Sequence, residues 1–187
     1  MLLTNHVLSG ALIGAVVRRP VPAFVLGVAS HFALDAVPHW GPFRGRRALL
    51  RVAVPDGLTA LAAMTALAAA APPDRRLPMT AAMFGAALPD ADKPVQLLFG
   101  RTPWPAAVAE FHGRIQDEAP HRFPFEAALA AFFAAAVAVA LREDGAPAAA
   151  RSAAHRRSHP GPGRRGGLRP AGPHPAGDSA AGHAFLP

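Results

Sequence analysis

Two histidines and an aspartate follow one another at four-residue steps in an apolar stretch that reads ASHFALDAVPHW. Four helical residues turn the chain by about 400°, so His31 and Asp35 are predicted to stack on nearly one helix face. Pro38 disfavours helical dihedrals at Val37, so the helix is expected to end there and leave His39 free to fold back. Imidazole and carboxylate groups gathered at one helix end are typical of half a divalent metal site.

Other ionisable residues lie in or at the ends of apolar segments elsewhere in the chain. They are His6, Asp56, Asp90, Asp92 and His112. Inside a membrane such groups are costly, and they usually pair, line a wet cavity or bind an ion. A shared metal or proton-handling site therefore explains the whole set better than a series of unrelated buried residues.

Composition indicates which elements hold these residues. The chain of 187 residues is 51% hydrophobic but only 7% aromatic. This balance favours alanine-rich helices that are buried or embedded in a membrane. Cysteine is absent, which excludes a disulfide framework, a zinc ribbon and a thiol nucleophile. Any metal ion must then be held by histidine, aspartate, glutamate or backbone oxygen.

Five apolar runs predict an all-α integral membrane protein with about four or five apolar helices. The runs cover residues 7–17, 21–37, 52–71, 79–99 and 125–141. We assign residues 1–143 to a helical membrane domain with the metal site and residues 144–187 to a disordered tail rich in Arg, Pro, Gly and His. Much of the net charge of +7 lies in this tail, which is expected to be solvated, without specific nucleic-acid binding.

Caps and prolines indicate where helices begin. Thr4 or Asn5 is the predicted N-cap of the first helix. Pro55 fits best in the first turn of the third helix, which places Asp56 near the N-terminus of that helix.

The two carboxylates of the fourth run need an irregular backbone if they are to act together. Asp90 and Asp92 would point to opposite sides of a regular helix. The prolines at positions 89 and 94 favour local unwinding, and broken helices at membrane depth occur where they line a protein cavity.

Three segments also carry recognisable motifs. They are Thr4-Asn5-His6, the His31-x-x-x-Asp35 helix and Leu88-Pro89-Asp90-Ala91-Asp92-Lys93-Pro94. Together they resemble the bacterial membrane-bound metal-dependent hydrolases, a family that includes an SOS-induced inner-membrane protein. Lys93 stands where the family's LPDxDH-type element ends in histidine, and residues 111–116 are loosely similar to its HRGxTHS-type element.

This resemblance implies a metal-dependent hydrolase of the bacterial inner membrane, with Zn²⁺ or alternatively Mn²⁺ as its ion. The expected metal ligands are His6, His31, Asp35, His39, Asp90 and His112. Asp56 and Asp92 are expected to accept a proton, and Lys93 and Arg114 to neutralise developing negative charge. The expected substrate is an ester or phosphoester of a small or lipid-like molecule at the membrane.

Two other functions are compatible with the same residues. In an ion- or proton-coupled transport component the histidines and aspartates would form a relay without a tightly bound metal ion. In a structural membrane protein they would only cap helices and pair with arginines.

Overall fold

A computed structural model describes the backbone of residues 1–158 and the side chains of residues 1–142. The chain divides into one unit, Met1–Ala150, and a second, Arg151–Pro187. The described part is mostly helical, as the composition predicted. Most of the predicted disordered tail lies outside the described residues, although the last helix extends to Ser158 and so passes the predicted boundary at residue 143.

The elements follow one another with short connections. The α-helices are α1 (Leu3–Val16), α2 (Pro20–Asp35), α3 (Arg46–Ala70), α4 (Pro73–Ala87), α5 (Asp92–Phe99), α6 (Ala106–Ile115) and α7 (Phe123–Ser158). A 3₁₀ turn, Leu88–Ala91, joins α4 to α5. Two short strands, β1 (His39–Trp40) and β2 (Glu118–Ala119), pair in parallel.

Helices α1, α2 and α4 pack backbone against backbone. A Cβ atom added at Gly10 would lie 2.6 Å from the carbonyl oxygen of Ala82, and Gly14 and Gly27 face the backbone of α4 in the same way. Small residues permit this close approach between helices. The packing brings His6 of α1 beside His31 and Asp35 of α2.

Among the described residues, two helical segments are long and apolar enough to cross a membrane, Arg46–Ala70 and Pro120–Arg142. The prediction of four or five such helices was therefore too high. Helices α1 and α2 have 14 and 16 residues, which at 1.5 Å per residue gives about 21–24 Å against a hydrocarbon core of about 30 Å. The 79–99 run is divided between α4, the 3₁₀ turn and α5.

The two long apolar segments expose most of their surface. Only 11% of the apolar window of each is buried. Leu58 and Leu61 of α3 and Phe132 of α7 are each exposed by 60% or more. Neither segment is thus the buried core helix of this fold.

Helix α3 begins earlier than predicted. Gly45, with a φ of 87°, precedes a first helical residue at Arg46. Pro55 consequently lies inside the helix, where its missing N–H removes one backbone hydrogen bond. Asp56 is then a mid-helix residue and cannot cap α3.

Asp56 instead caps the N-terminus of α1. Its carboxylate accepts hydrogen bonds from the N–H groups of Leu3 (2.7 Å) and Thr4 (3.2 Å) and from the Thr4 hydroxyl (2.6 Å). The predicted capping role of Thr4 or Asn5 was wrong, because the N-cap is Leu2 and makes no side-chain cap. A carboxylate more than fifty positions away satisfies the N–H groups that begin this helix.

Candidate metal centre

The predicted pairing of His31 and Asp35 on one helix face is confirmed. Helix α2 ends at Asp35, close to the expected boundary. The Nε2 atom of His31 lies 3.2 Å from Oδ2 of Asp35, and neither side chain is exposed to solvent. Local helix geometry alone thus produces one half of a polar site.

Asp90 and His112 supply the other half. His112 Nε2 lies 2.7 Å from Asp35 Oδ2 and 3.1 Å from His31 Nε2. Asp90 Oδ1 lies 3.8 Å from the Nε2 atom of each histidine. The four ligand atoms all fall within 4.8 Å of one another, and all four residues are buried.

The separations of these atoms suit a metal ion. Ligands held about 2.1 Å from a tetrahedral ion lie about 3.4 Å from one another. Five of the six separations lie between 2.7 and 3.8 Å, on either side of that value, and the sixth, between Asp35 and Asp90, is within 4.8 Å. Two imidazoles and two carboxylates are a donor set that zinc and similar divalent ions accept. The residues therefore fit a divalent metal ion, which in this geometry would be held by His31, Asp35, Asp90 and His112.

The orientation of His31 supports this assignment. Its Nδ1 atom lies 2.7 Å from the carbonyl oxygen of Ala86. We assign the proton to Nδ1, since a carbonyl can only accept, and the Nε2 lone pair then faces the carboxylates. Histidines that bind metal ions are commonly oriented by such a hydrogen bond.

Asp90 is placed by the 3₁₀ turn, which fulfils the prediction that the helix is irregular here. The indole N–H of Trp104 donates to the carbonyl oxygen of Pro89 at 2.9 Å and holds the turn against the segment before α6. Lys93 Nζ lies 2.5 Å from Asp90 Oδ1. Asp90 thus contacts both the histidines and a cation.

Charge and burial act in opposite directions on the Asp90–Lys93 pair. Burial by itself would raise the pKa of Asp90, but the Lys93 ammonium together with the imidazoles of His6 and His31 lowers that pKa. Burial would likewise lower the pKa of Lys93, but the carboxylates of Asp90, Asp35 and Asp92 together raise it. Both groups are consequently ionised at neutral pH.

His6 borders the four-residue group. Its ring stacks on that of His31 with centroids 3.9 Å apart, and its Nε2 atom lies 3.2 Å from Asp35 Oδ1. The side chain is fully buried, and neither ring nitrogen hydrogen-bonds to any residue whose side chain the structure describes. The structure therefore places this predicted ligand beside the centre, on the second oxygen of Asp35.

Two further groups donate to Asp35, and the sequence interpretation missed both. The Gln116 amide donates to Oδ2 at 3.4 Å, and the Met1 amine donates to Oδ1 at 2.9 Å. Gln116 lies four positions after His112, and this helical spacing is the signal that identifies it.

His39 does not join the group. It lies in β1, where its Nδ1–H donates to the carbonyl oxygen of Val37 at 2.8 Å. Its Nε2 atom lies 3.8 Å from Oε1 of Glu118, the residue that opposes it in β2. Pro38 ends the helix before His39, as predicted. Pairing of β1 with β2 then holds His39 opposite Glu118 and outside the four-residue group.

The four predicted catalytic residues occupy different places. Asp92 begins α5, and its Oδ1 atom is buried without a hydrogen-bond partner. Lys93 contacts Asp90. Asp56 caps α1, and Arg114 is exposed on α6. Lys93 thus lies beside the centre through Asp90, and Asp92 precedes it in the chain, whereas the contacts of Asp56 are to α1.

Glu126, near the start of α7, is a buried carboxylate that was not predicted as functional. It accepts hydrogen bonds from the Asn5 amide (2.5 Å), the Leu2 N–H (3.3 Å) and the Trp40 N–H (3.3 Å). These bonds join α7 to the residue before His6 and to β1. Glu126 therefore helps to hold the N-terminal turn of α1, which carries His6.

Comparison of the chain with family models, with curated proteins and with solved structures gives no match. The geometry of the four-residue group and the chemistry of its donors consequently carry the functional argument.

Proposed function

We propose that this protein is a membrane-embedded metalloprotein that hydrolyses an ester or phosphoester bond of a small or lipid-like substrate. The observation that carries the proposal is the buried group of His31, Asp35, Asp90 and His112, with ligand atoms within 4.8 Å of one another. Three elements distant in sequence, α2, the 3₁₀ turn and α6, converge there. Such convergence of unlike ionisable groups in an apolar fold is typical of an ion-binding site.

The exposed apolar surface supports a membrane location. Only 11% of the apolar window of α3 and of α7 is buried, so most of these residues would be fully or partly exposed to water in a soluble monomer. Contiguous apolar patches of that extent are unusual on soluble proteins and typical of surfaces that meet lipid. On the basis of the motif resemblance we propose the bacterial inner membrane as its location.

A bound divalent ion would supply a Lewis acid for the carbonyl or phosphoryl oxygen and would make a water molecule acidic at neutral pH. Two protein residues, Asp92 and Lys93, would assist the bound ion. Asp92 carries a buried, unpartnered oxygen that can accept a proton from water. Lys93 has a side chain that is 43% exposed, so its ammonium can meet negative charge on a substrate.

The first experiment is metal analysis of the full chain, purified in detergent without chelator. We expect stoichiometric Zn²⁺ or Mn²⁺ in the wild type and its loss in His31→Ala and Asp35→Ala. His121→Ala is the matched control, because His121 is exposed and lies outside the group. Metal-free wild-type protein would refute the proposal, and metal retained in both site variants would place the ion elsewhere.

The second experiment tests hydrolysis. Chromogenic carboxylic esters and phosphodiesters are offered to protein loaded with Zn²⁺ or Mn²⁺ in mixed micelles. Turnover that is lost on chelation and in Asp35→Ala is the expected result. Stoichiometric metal without turnover of any ester would favour a non-enzymatic or ion-handling function for the same centre.

A further inference from the structure

Lys93 is the only lysine in the chain, which otherwise uses arginine for its cationic side chains. Its ammonium lies 2.5 Å from Oδ1 of Asp90. The same oxygen lies 3.8 Å from the Nε2 atoms of His31 and His112. One carboxylate oxygen therefore faces both the place of a metal ion and a permanent positive charge.

We infer that Lys93 is a built-in competing cation that lowers the affinity of the centre for a divalent metal ion. This inference rests on the proposed metal centre and specifies how tightly that centre holds its ion. An ion bound to Asp90 must share the charge of that carboxylate with the Lys93 ammonium. Like charges separated by a single oxygen atom repel one another, and a largely buried site screens this repulsion less than water does.

The surroundings of Lys93 leave the ammonium close to the centre. Asp92 is the other carboxylate next to it in sequence, and the Asp92 oxygen that is buried has no hydrogen-bond partner. Asp90 is thus the carboxylate that Lys93 contacts. The Asp90 side chain is 9% exposed and that of Lys93 is 43% exposed. The Lys93 side chain is partly exposed and reaches the Asp90 oxygen, so a substitution at Lys93 can remove the positive charge from this oxygen.

The sign of the expected effect separates this inference from a structural role. A residue that only supports the fold or orients Asp90 would weaken metal binding when it is replaced. Removal of a competing cation would strengthen metal binding. Lys93→Met removes the charge and keeps much of the apolar stem, Lys93→Gln also keeps a hydrogen-bond donor, and Lys93→Arg keeps the charge.

The test is equilibrium competition for Zn²⁺ between a fluorescent chelator and the detergent-purified full chain. We expect Lys93→Met to bind Zn²⁺ about tenfold more tightly than the wild type or better, which corresponds to about 1.4 kcal/mol. Lys93→Arg should bind like the wild type. Circular dichroism shows whether each variant keeps its helical content, and Lys93→Gln replaces Lys93→Met if the latter does not fold.

The outcomes distinguish the two proposals. Zinc binding by the wild type with equal or weaker binding by the charge-free variants would overturn the inference and leave the metal centre intact. Tighter binding in Lys93→Arg as well would also overturn it, since charge would not be the cause. Absence of zinc binding in the wild type and in every Lys93 variant would refute the metal centre and the inference together.

Discussion

The packed helices α1, α2 and α4 differ sharply from the long helices α3 and α7. In the first region glycines let backbones touch, and the buried side chains include histidines and aspartates. In the second region each helix carries an apolar window of which only 11% is buried. The first region is thus a protein interior that gathers polar groups, and the second is an exposed apolar surface, which is the basis of the proposed membrane location.

The largest expected effect tests the outer surface. Leu61→Lys places a charge on an exposed position of α3, and a charge near the centre of a membrane helix costs about 2.5–3.5 kcal/mol of insertion free energy. We expect the variant to be depleted from the membrane fraction after carbonate extraction. Leu98→Lys is the control, since Leu98 is also exposed but lies in α5, outside both candidate spans. Equal extraction of both variants would contradict a membrane role for α3.

The next effect tests the packed region. A Cβ at Gly10 meets the backbone of α4, whereas a Cβ at Gly57 of α3 meets nothing within 4 Å. Gly10→Ala should destabilise the fold by about 1–3 kcal/mol through overpacking. Gly57→Ala should stabilise it by about 0.5–1 kcal/mol because alanine favours the helix. Thermal unfolding in detergent measures both, and shifts of the same sign would show that the two regions are packed alike.

A smaller effect tests the connection between the regions. Asp56 belongs to α3 but caps α1 through Leu3 and Thr4. Asp56→Ala should cost about 0.5–2 kcal/mol of unfolding free energy, the usual value of a lost helix cap. Asp74→Ala, at a side chain that is 61% exposed, is the matched control and should change stability less. If both substitutions proved neutral, the cap would not couple α3 to the bundle.

The smallest effect is a pH dependence at the edge of the centre, measured on metal-free protein in chelator. The folded-state pKa of Asp90 lies below its usual value of 3.8, so its stabilisation is present above that pH and is lost as pH falls further. The pKa of Lys93 lies above 10.5, so its contribution is present below that pH and is lost as pH rises.

Wild type should therefore exceed Lys93→Met in stability between these limits, and the difference should shrink beyond them. Because Lys93 is partly exposed, the difference should stay below about 1 kcal/mol. Unfolding curves at pH 3, 7 and 11 measure it, and a difference that does not vary with pH would show that the Asp90–Lys93 charge pair is not its source.

Features encoded by short spacings could be predicted from the sequence. The predominance of helices follows from the alanine-rich apolar runs, and the His31–Asp35 pair follows from a four-residue step on one helix. The irregular backbone at Asp90 follows from the flanking prolines. Each of these depends on neighbours within one or two turns, where chain geometry leaves few alternatives.

Which distant residues complete the centre depends on how the helices pack in three dimensions. Asp90 and His112 lie in the centre. His39 instead pairs with β2, and Asp56 hydrogen-bonds to the first turn of α1. All of these residues have the chemistry of a ligand, so residue type could not separate them. Their positions depend on the close packing of α1, α2 and α4 and on the connections that α3 and α7 make to α1. This packing and these connections depend on contacts between residues far apart in the chain, and such contacts cannot be inferred from the local sequence.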